Sequence, residues 1–162
     1  MKTTVVIILI FLGLLGLMWL GSSNKKLTES SDRTKSVLST SEEVYDFGTI
    51  SMKNGDVTKE FIITNSTDKD IFVPSLTTSC MCTRAYLVQL DGKIKGPFGM
   101  PSMSYVPRVN EIIKVGESRV VRVVYDPNAH GPAGVGRINR FVTLTDALGG
   151  ELRLEIRAVV TP

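Results

Sequence analysis

Near the carboxyl end, the run "ELRLEIRAVV" (151–160) alternates from Glu151 through Ala158. Leu152, Leu154, Ile156, Ala158 and Val160 share one parity, and Glu151, Arg153, Glu155 and Arg157 share the other. Successive residues of a strand point to opposite faces, so this period of two demands a strand with one buried face and one wet face. Such a strand is stable only when a second layer covers its apolar side, which restricts the chain to packed sheets.

The same signal recurs upstream. "EVYDFGTI" (43–50) puts Tyr45 and Phe47 on one side, and "VTKEFIITN" (57–65) does the same with Val57, Phe61 and Ile63 after an Asn-Gly-Asp turn. "IFVPSL" (71–76) is extended, but Pro74 lacks the N–H a ladder needs, which predicts an edge strand or a break there. "RAYLVQL" (84–90), "SRVVRVVYDP" (118–127) and "RINRFVTLTD" (137–146) follow, with Val121, Val123 and Tyr125 in phase, then Ile138, Val142 and Leu144. The last of these, followed by "ALGG", predicts a hairpin with 151–160. Residues 91–118 hold three of the seven prolines and read as a long excursion, with one short strand near Glu111–Lys114. About seven strands without helical periodicity predict an all-β, antiparallel immunoglobulin-like sandwich. Arg153 and Glu155 are expected to be solvent charges.

The amino end differs. An apolar run from Val5 to Leu20 follows Lys2 and ends beside Trp19. A spanning helix needs about 20 apolar residues, and a cleaved signal about 7–15. No small-x-small cleavage pattern follows, because Leu20 stands three residues before the best cut, after Ser22. The expectation is therefore one N-terminal transmembrane helix, with membrane contact through residues 4–21. The positive flank at Lys25, Lys26, Arg33 and Lys35 opposes export on a count of charges. A Lys-led apolar segment is nonetheless an export signal, and long domains translocate despite their charge. The expected organisation is an anchor or signal segment at 1–22, a polar linker at 23–41 and a sandwich at 42–162. The chain would be single-pass with its domain outside the cytoplasm, or secreted if the segment is cleaved. A net charge of +3 without a basic block predicts no nucleic-acid partner.

Both cysteines stand in "TTSCMCTRA" (77–85). In an extended strand Cys80 and Cys82 would project to one side, with Cα atoms near the upper disulfide limit of about 6.8 Å, so a bridge requires the backbone to contract. Three readings stay open: a structural or resting thiol pair, a redox-active bridge, or a soft-metal site. Two thiolates suit Cu(I), with Met100, Met103 or His130 completing the shell. Zinc fits less well, since Cys80, Cys82 and His130 make three ligands and not four. His130, in "YDPNAHGPAGVG" (125–136), is read first as a loop residue. One histidine, with no Gly-x-Ser-x-Gly motif, argues against hydrolytic catalysis. "NST" (65–67) has the form of a glycosylation acceptor.

Phe47-Gly48-x-Ile50, Phe61-x-x-x-Asn65, Ser79-Cys80-x-Cys82-Thr83 and the Val115-Gly116-Glu117 turn occur in this order. In that order the chain resembles the bacterial domain-of-unknown-function family 1573 over about residues 43–160. Met81 replaces the family's usual glycine, and the 91–110 connection is longer than usual. The resemblance implies an immunoglobulin-like module of the Hydin and major-sperm-protein type in an exported, often membrane-anchored setting. It implies no activity. The expected function is a non-enzymatic binding or structural module acting through an unidentified protein partner, at a sheet edge or the 91–110 loop. The alternatives are Cu(I) or thiol redox chemistry at Cys80-Met81-Cys82.

Overall fold

The alternating segments form strands because each has an inner row to bury. In the computed structural model, which describes residues 34–102 and 105–162, ten strands build two five-stranded sheets. The strands are β1 (Ser39–Thr40), β2 (Val44–Ser51), β3 (Val57–Thr64), β4 (Ile71–Thr78), β5 (Thr83–Val88), β6 (Ile94–Phe98), β7 (Arg108–Ile113), β8 (Ser118–Tyr125), β9 (Gly136–Thr145) and β10 (Glu151–Thr161). One sheet runs β1-β3-β8-β5-β6 and the other β2-β10-β9-β4-β7. All but one of the pairings are antiparallel; β2 lies parallel to β10, against expectation. That pairing becomes possible because β2 and β10 are remote in sequence, so no tight turn has to join them.

The core lies between the sheets. Phe61 and Ile63 from β3, Val121, Val123 and Tyr125 from β8, and Leu87 from β5 meet Val73, Leu76, Val142, Leu144, Leu154 and Ile156 from the opposite layer. The predicted hairpin is present, with Leu154 opposite Val142 and Leu152 opposite Leu144. Leu152, Leu154, Ile156, Ala158 and Val160 are all buried, while Val159, on the other parity, is exposed. Of the outer charges, Arg153 stacks 3.5 Å over the Phe141 ring, and Glu155 pairs with Arg157 at 2.7 Å.

Three expectations are corrected. Of the two readings of Pro74, the edge is not found, because β4 is an interior strand between β9 and β7, whereas the break is, since the register to β7 shifts between Val73 and Ser75. The missing N–H is accommodated by that irregularity. The 91–118 excursion contains two strands, because β6 continues the first sheet beside β5 and β7 closes the edge of the second beside β4. The sandwich also begins before residue 42. Leu38 is buried in the core, β1 pairs with β3, and the Ser36 hydroxyl donates to Asp146 Oδ2 at 2.7 Å. Gly150 makes room for this contact, since a Cβ there would sit 2.8 Å from Ser36 Cα.

The predicted anchor at 1–22 and the first part of the predicted linker lie outside the described residues. Among the described residues, no helix is long and apolar enough to cross a membrane. Asn65 is fully buried; its amide donates to Lys69 O and Ile113 O, and its oxygen accepts from Thr67. In the folded domain it is a turn-locking residue and has no room for a glycan.

A charged cluster and an aliphatic row have very different surroundings. Glu111 of β7, nearly inaccessible at 3 %, accepts from Arg119 Nε at 2.7 Å, Lys95 Nζ at 2.7 Å and Gln89 Nε2 at 2.9 Å. Glu111 belongs to one sheet, whereas Lys95 and Arg119 belong to the other, so the cluster clamps the layers together. By contrast, the outer face of the β1-β3-β8-β5-β6 sheet carries a cross-strand aliphatic row. Ile62 stands opposite Val120, Val120 opposite Val88, and Val88 opposite Ile94. Its end members are exposed, Ile62 at 58 % and Ile94 at 52 %.

Candidate functional site

Cys80 and Cys82 occupy the crossing from one layer to the other, between the end of β4 and the start of β5. The segment is a turn and not an extended strand: Thr83 N–H donates to Cys80 O at 3.1 Å. Side chains around it favour that turn. The Thr78 hydroxyl reaches Cys80 O at 3.0 Å and Thr83 O at 3.1 Å, while Ser79 exchanges hydrogen bonds with the Phe141 backbone at 2.9 Å. The contraction brings the two Cα atoms to 5.2 Å, and the cysteines are joined by a disulfide. This is the backbone shortening that a bridge between residues i and i+2 requires. Met81 points outward from the turn and is 70 % exposed.

Two further elements converge on the sulfurs. The end of β8 is tied to the turn where Asp126 N–H donates to Cys82 O at 2.9 Å. The Asp126 carboxylate then accepts from Asn128 N–H at 2.8 Å, and the Asn128 amide donates to Met52 O at 2.8 Å. This bracing leads into a short 3-10 turn (Gly131–Gly134) whose N-cap is His130. As a result, His130 Nε2 lies 3.2 Å from Cys80 Sγ. From the other layer, Arg140 of β9 donates its Nε–H to Cys82 Sγ at 3.2 Å. Cys80 is half-buried, Cys82 buried and His130 exposed. Beside them, burial pushes the Tyr125 phenol above its usual 10.0, against an opposing pull from Arg140.

The expected site residues therefore divide. Cys80, Cys82 and His130 come together, their ligand atoms all within 4.8 Å of one another. His130, read from sequence as a loop residue, is at the sulfurs and not apart from them. Met100 follows β6 and is exposed, and no hydrogen bond among the described residues links it to either cysteine. Met103 lies outside the described residues. Arg140 was not singled out, although a signal existed: it shares its parity with Ile138 and Val142, so a cation stands on the inward phase of β9. A disulfide flanked by an imidazole on one sulfur and a guanidinium on the other can be opened by an incoming thiolate. The guanidinium stabilises the thiolate that leaves.

Residues 38–90 match the model of a family described as a protein of unknown function, DUF1573. That stretch contains the cysteine turn but neither His130 nor Arg140, and it is shorter than the resemblance over 43–160. No curated protein matches the chain. Among solved structures, a protein of unknown function from Porphyromonas gingivalis is similar with a TM-score of 0.55 at 15% identity, over 83% of this chain and 51% of that one. The chain thus spans about half the length of that protein. A family 123 glycoside hydrolase from Clostridium perfringens is similar at a TM-score of 0.51 and 6% identity, over 73% of this chain and 22% of the hydrolase. The PapD-like domain 7 of human CEP192 aligns at a TM-score of 0.48 and 12% identity, over 78% of this chain and 87% of that one. Such identities speak to the immunoglobulin-like sandwich alone, since unrelated functions share superfolds.

Proposed function

We propose that the protein is a membrane-tethered extracytoplasmic module, non-enzymatic in turnover, whose sandwich presents Cys80 and Cys82 as a reversible dithiol–disulfide pair. The observation that carries this reading is the bridge itself, with His130 at 3.2 Å on one sulfur and Arg140 at 3.2 Å on the other. A bridge between residues two apart closes too small a loop to stabilise the fold appreciably, so its chemistry is the better reason for it. Disulfides persist in oxidising compartments, which favours export, and the apolar run from Val5 to Leu20 supplies the tether.

The step balances with a dithiol reductant. Its thiolate attacks the accessible Cys80 Sγ, the Cys80–Cys82 bond breaks, and Cys82 departs as a thiolate held by Arg140. The second reductant sulfur then closes the reductant's own disulfide and releases Cys80, to which His130 delivers a proton. Cys82 then takes its proton from solvent, so two electrons and two protons enter the pair, matching the two protons that the reductant's thiols release. The isolated chain should show no reactive thiol, two after reduction, and none again after reoxidation. Arg140→Gln should slow opening by dithiothreitol. Two free thiols in the air-equilibrated chain would overturn the reading.

The aliphatic row Ile62–Val120–Val88–Ile94 favours a second reading, a protein-binding face. Ile94 lies in the 91–110 segment and on the edge strand β6. Ile62→Lys and Ile94→Lys should change stability by no more than about 0.5 kcal/mol, as for surface sites, while abolishing partner recovery in a pull-down. Recovery equal to wild type would remove this face from consideration.

A further inference from the structure

We infer that the Cys80–Cys82–His130 cluster, once reduced, is a Cu(I) site, so that the oxidation state of the cysteines gates metal uptake. This rests on the reversible-pair reading above. The donors are already gathered. Atoms that all bond one ion at about 2.0–2.3 Å lie within about 4.6 Å of each other. The two sulfurs and the imidazole nitrogen are within 4.8 Å, so small side-chain adjustments complete the set. Access exists on the side of Cys80 and His130, while the buried Cys82 anchors the site.

The choice of metal follows from donor type and charge. Two thiolates and one imidazole are a soft, three-membered set of the kind that selects Cu(I). Structural zinc normally takes four ligands. Arg140 adds the deciding contribution. Cu(I) with two thiolates carries one net negative charge, which the guanidinium at 3.2 Å from Cys82 Sγ neutralises. A divalent ion with the same thiolates is already neutral, and the guanidinium would then leave an uncompensated positive charge in a partly buried site.

Gating follows because the bridge and the metal use the same sulfurs. The bridged form has no thiolate to offer. A dithiol reductant supplies two electrons and two protons, the disulfide opens, and Cu(I) then displaces both thiol protons into solvent without changing its own oxidation state.

The test is an anaerobic titration of the full chain with Cu(I) against a bicinchoninate competitor, before and after reduction, with thiols counted in the same samples. The reduced chain should take one equivalent and the oxidised chain none. Cys80→Ser should lose binding with an unchanged circular dichroism spectrum. His130→Ala, at an exposed position, should weaken it, and Arg140→Gln should weaken it by about 10-fold, the lower end for residues that support a ligand. A natively folded chain with two counted thiols that leaves Cu(I) with the competitor overturns the metal site and spares the redox pair. A bridge that no reductant opens overturns both.

Discussion

Glu111→Ala should destabilise the domain by about 3–5 kcal/mol, the range for removing one partner of a buried ion pair. The size follows from what is left behind. Arg119, only 8 % exposed, would lose its 2.7 Å contact and keep one carboxylate partner, Glu117, at 2.9 Å. Lys95 would lose its 2.7 Å contact as well. Glu111→Ala combined with Arg119→Met should be milder than the single change, because an apolar pair carries no stranded charge. Urea unfolding of the three proteins decides the matter; a single-variant loss below about 1 kcal/mol would show that the cluster is solvated.

The same cluster sets an acid limit. Burial works against the Glu111 charge, but hydrogen bonds from Lys95, Arg119 and Gln89 outweigh it and hold the carboxyl below its usual 4.5. A group whose folded pKa is depressed contributes its stabilisation in full above the unfolded value and loses it as pH falls through the folded one. Stability should therefore drop below about pH 4.5, and Glu111→Gln should flatten that drop.

Phe61→Ala should cost about 3–5 kcal/mol, as large aromatic truncations in cores do. Phe61 is 1 % exposed, stands opposite Val121 in the β3–β8 ladder and has the Lys59 ammonium 5.7 Å from its ring centre. Loss of the ring leaves a void between two sheets that their ladders hold apart, so little collapse can relieve it. A fall in the urea midpoint at constant m-value is the expected signature. A loss under about 1.5 kcal/mol would mean that the layers close over the gap.

The strands could be read from sequence wherever burial is one-sided. From Leu152 to Val160 and from Val121 to Tyr125, alternation alone assigns the inner row, because the pleat gives the side chains a period of two. β6 escaped, and β7 was foreseen only as a short strand near Glu111–Lys114, because their segment is broken by Gly96, Pro97, Pro101 and Pro107, which read as punctuation although the strands pair around them. Charges on inward phases were the overlooked signal. Glu111 alternates with Val109 and Ile113, Arg119 with Val121, and Arg140 with Ile138 and Val142. Each marks a place where a charge is held inside by partners.

By itself the sequence determined a two-layered β-sandwich with a greasy interior, since alternating apolarity admits no other burial, and it named Cys80 and Cys82 as the residues able to do chemistry. Only the tertiary structure decided that their turn contracts into a bridge and that His130 and Arg140, 50 and 58 residues further along the chain, arrive at its two sulfurs. The physical reason is that a strand's periodicity encodes which side is buried but not which strand lies beside it. Neighbours across sheets are chosen by the packing of the whole core.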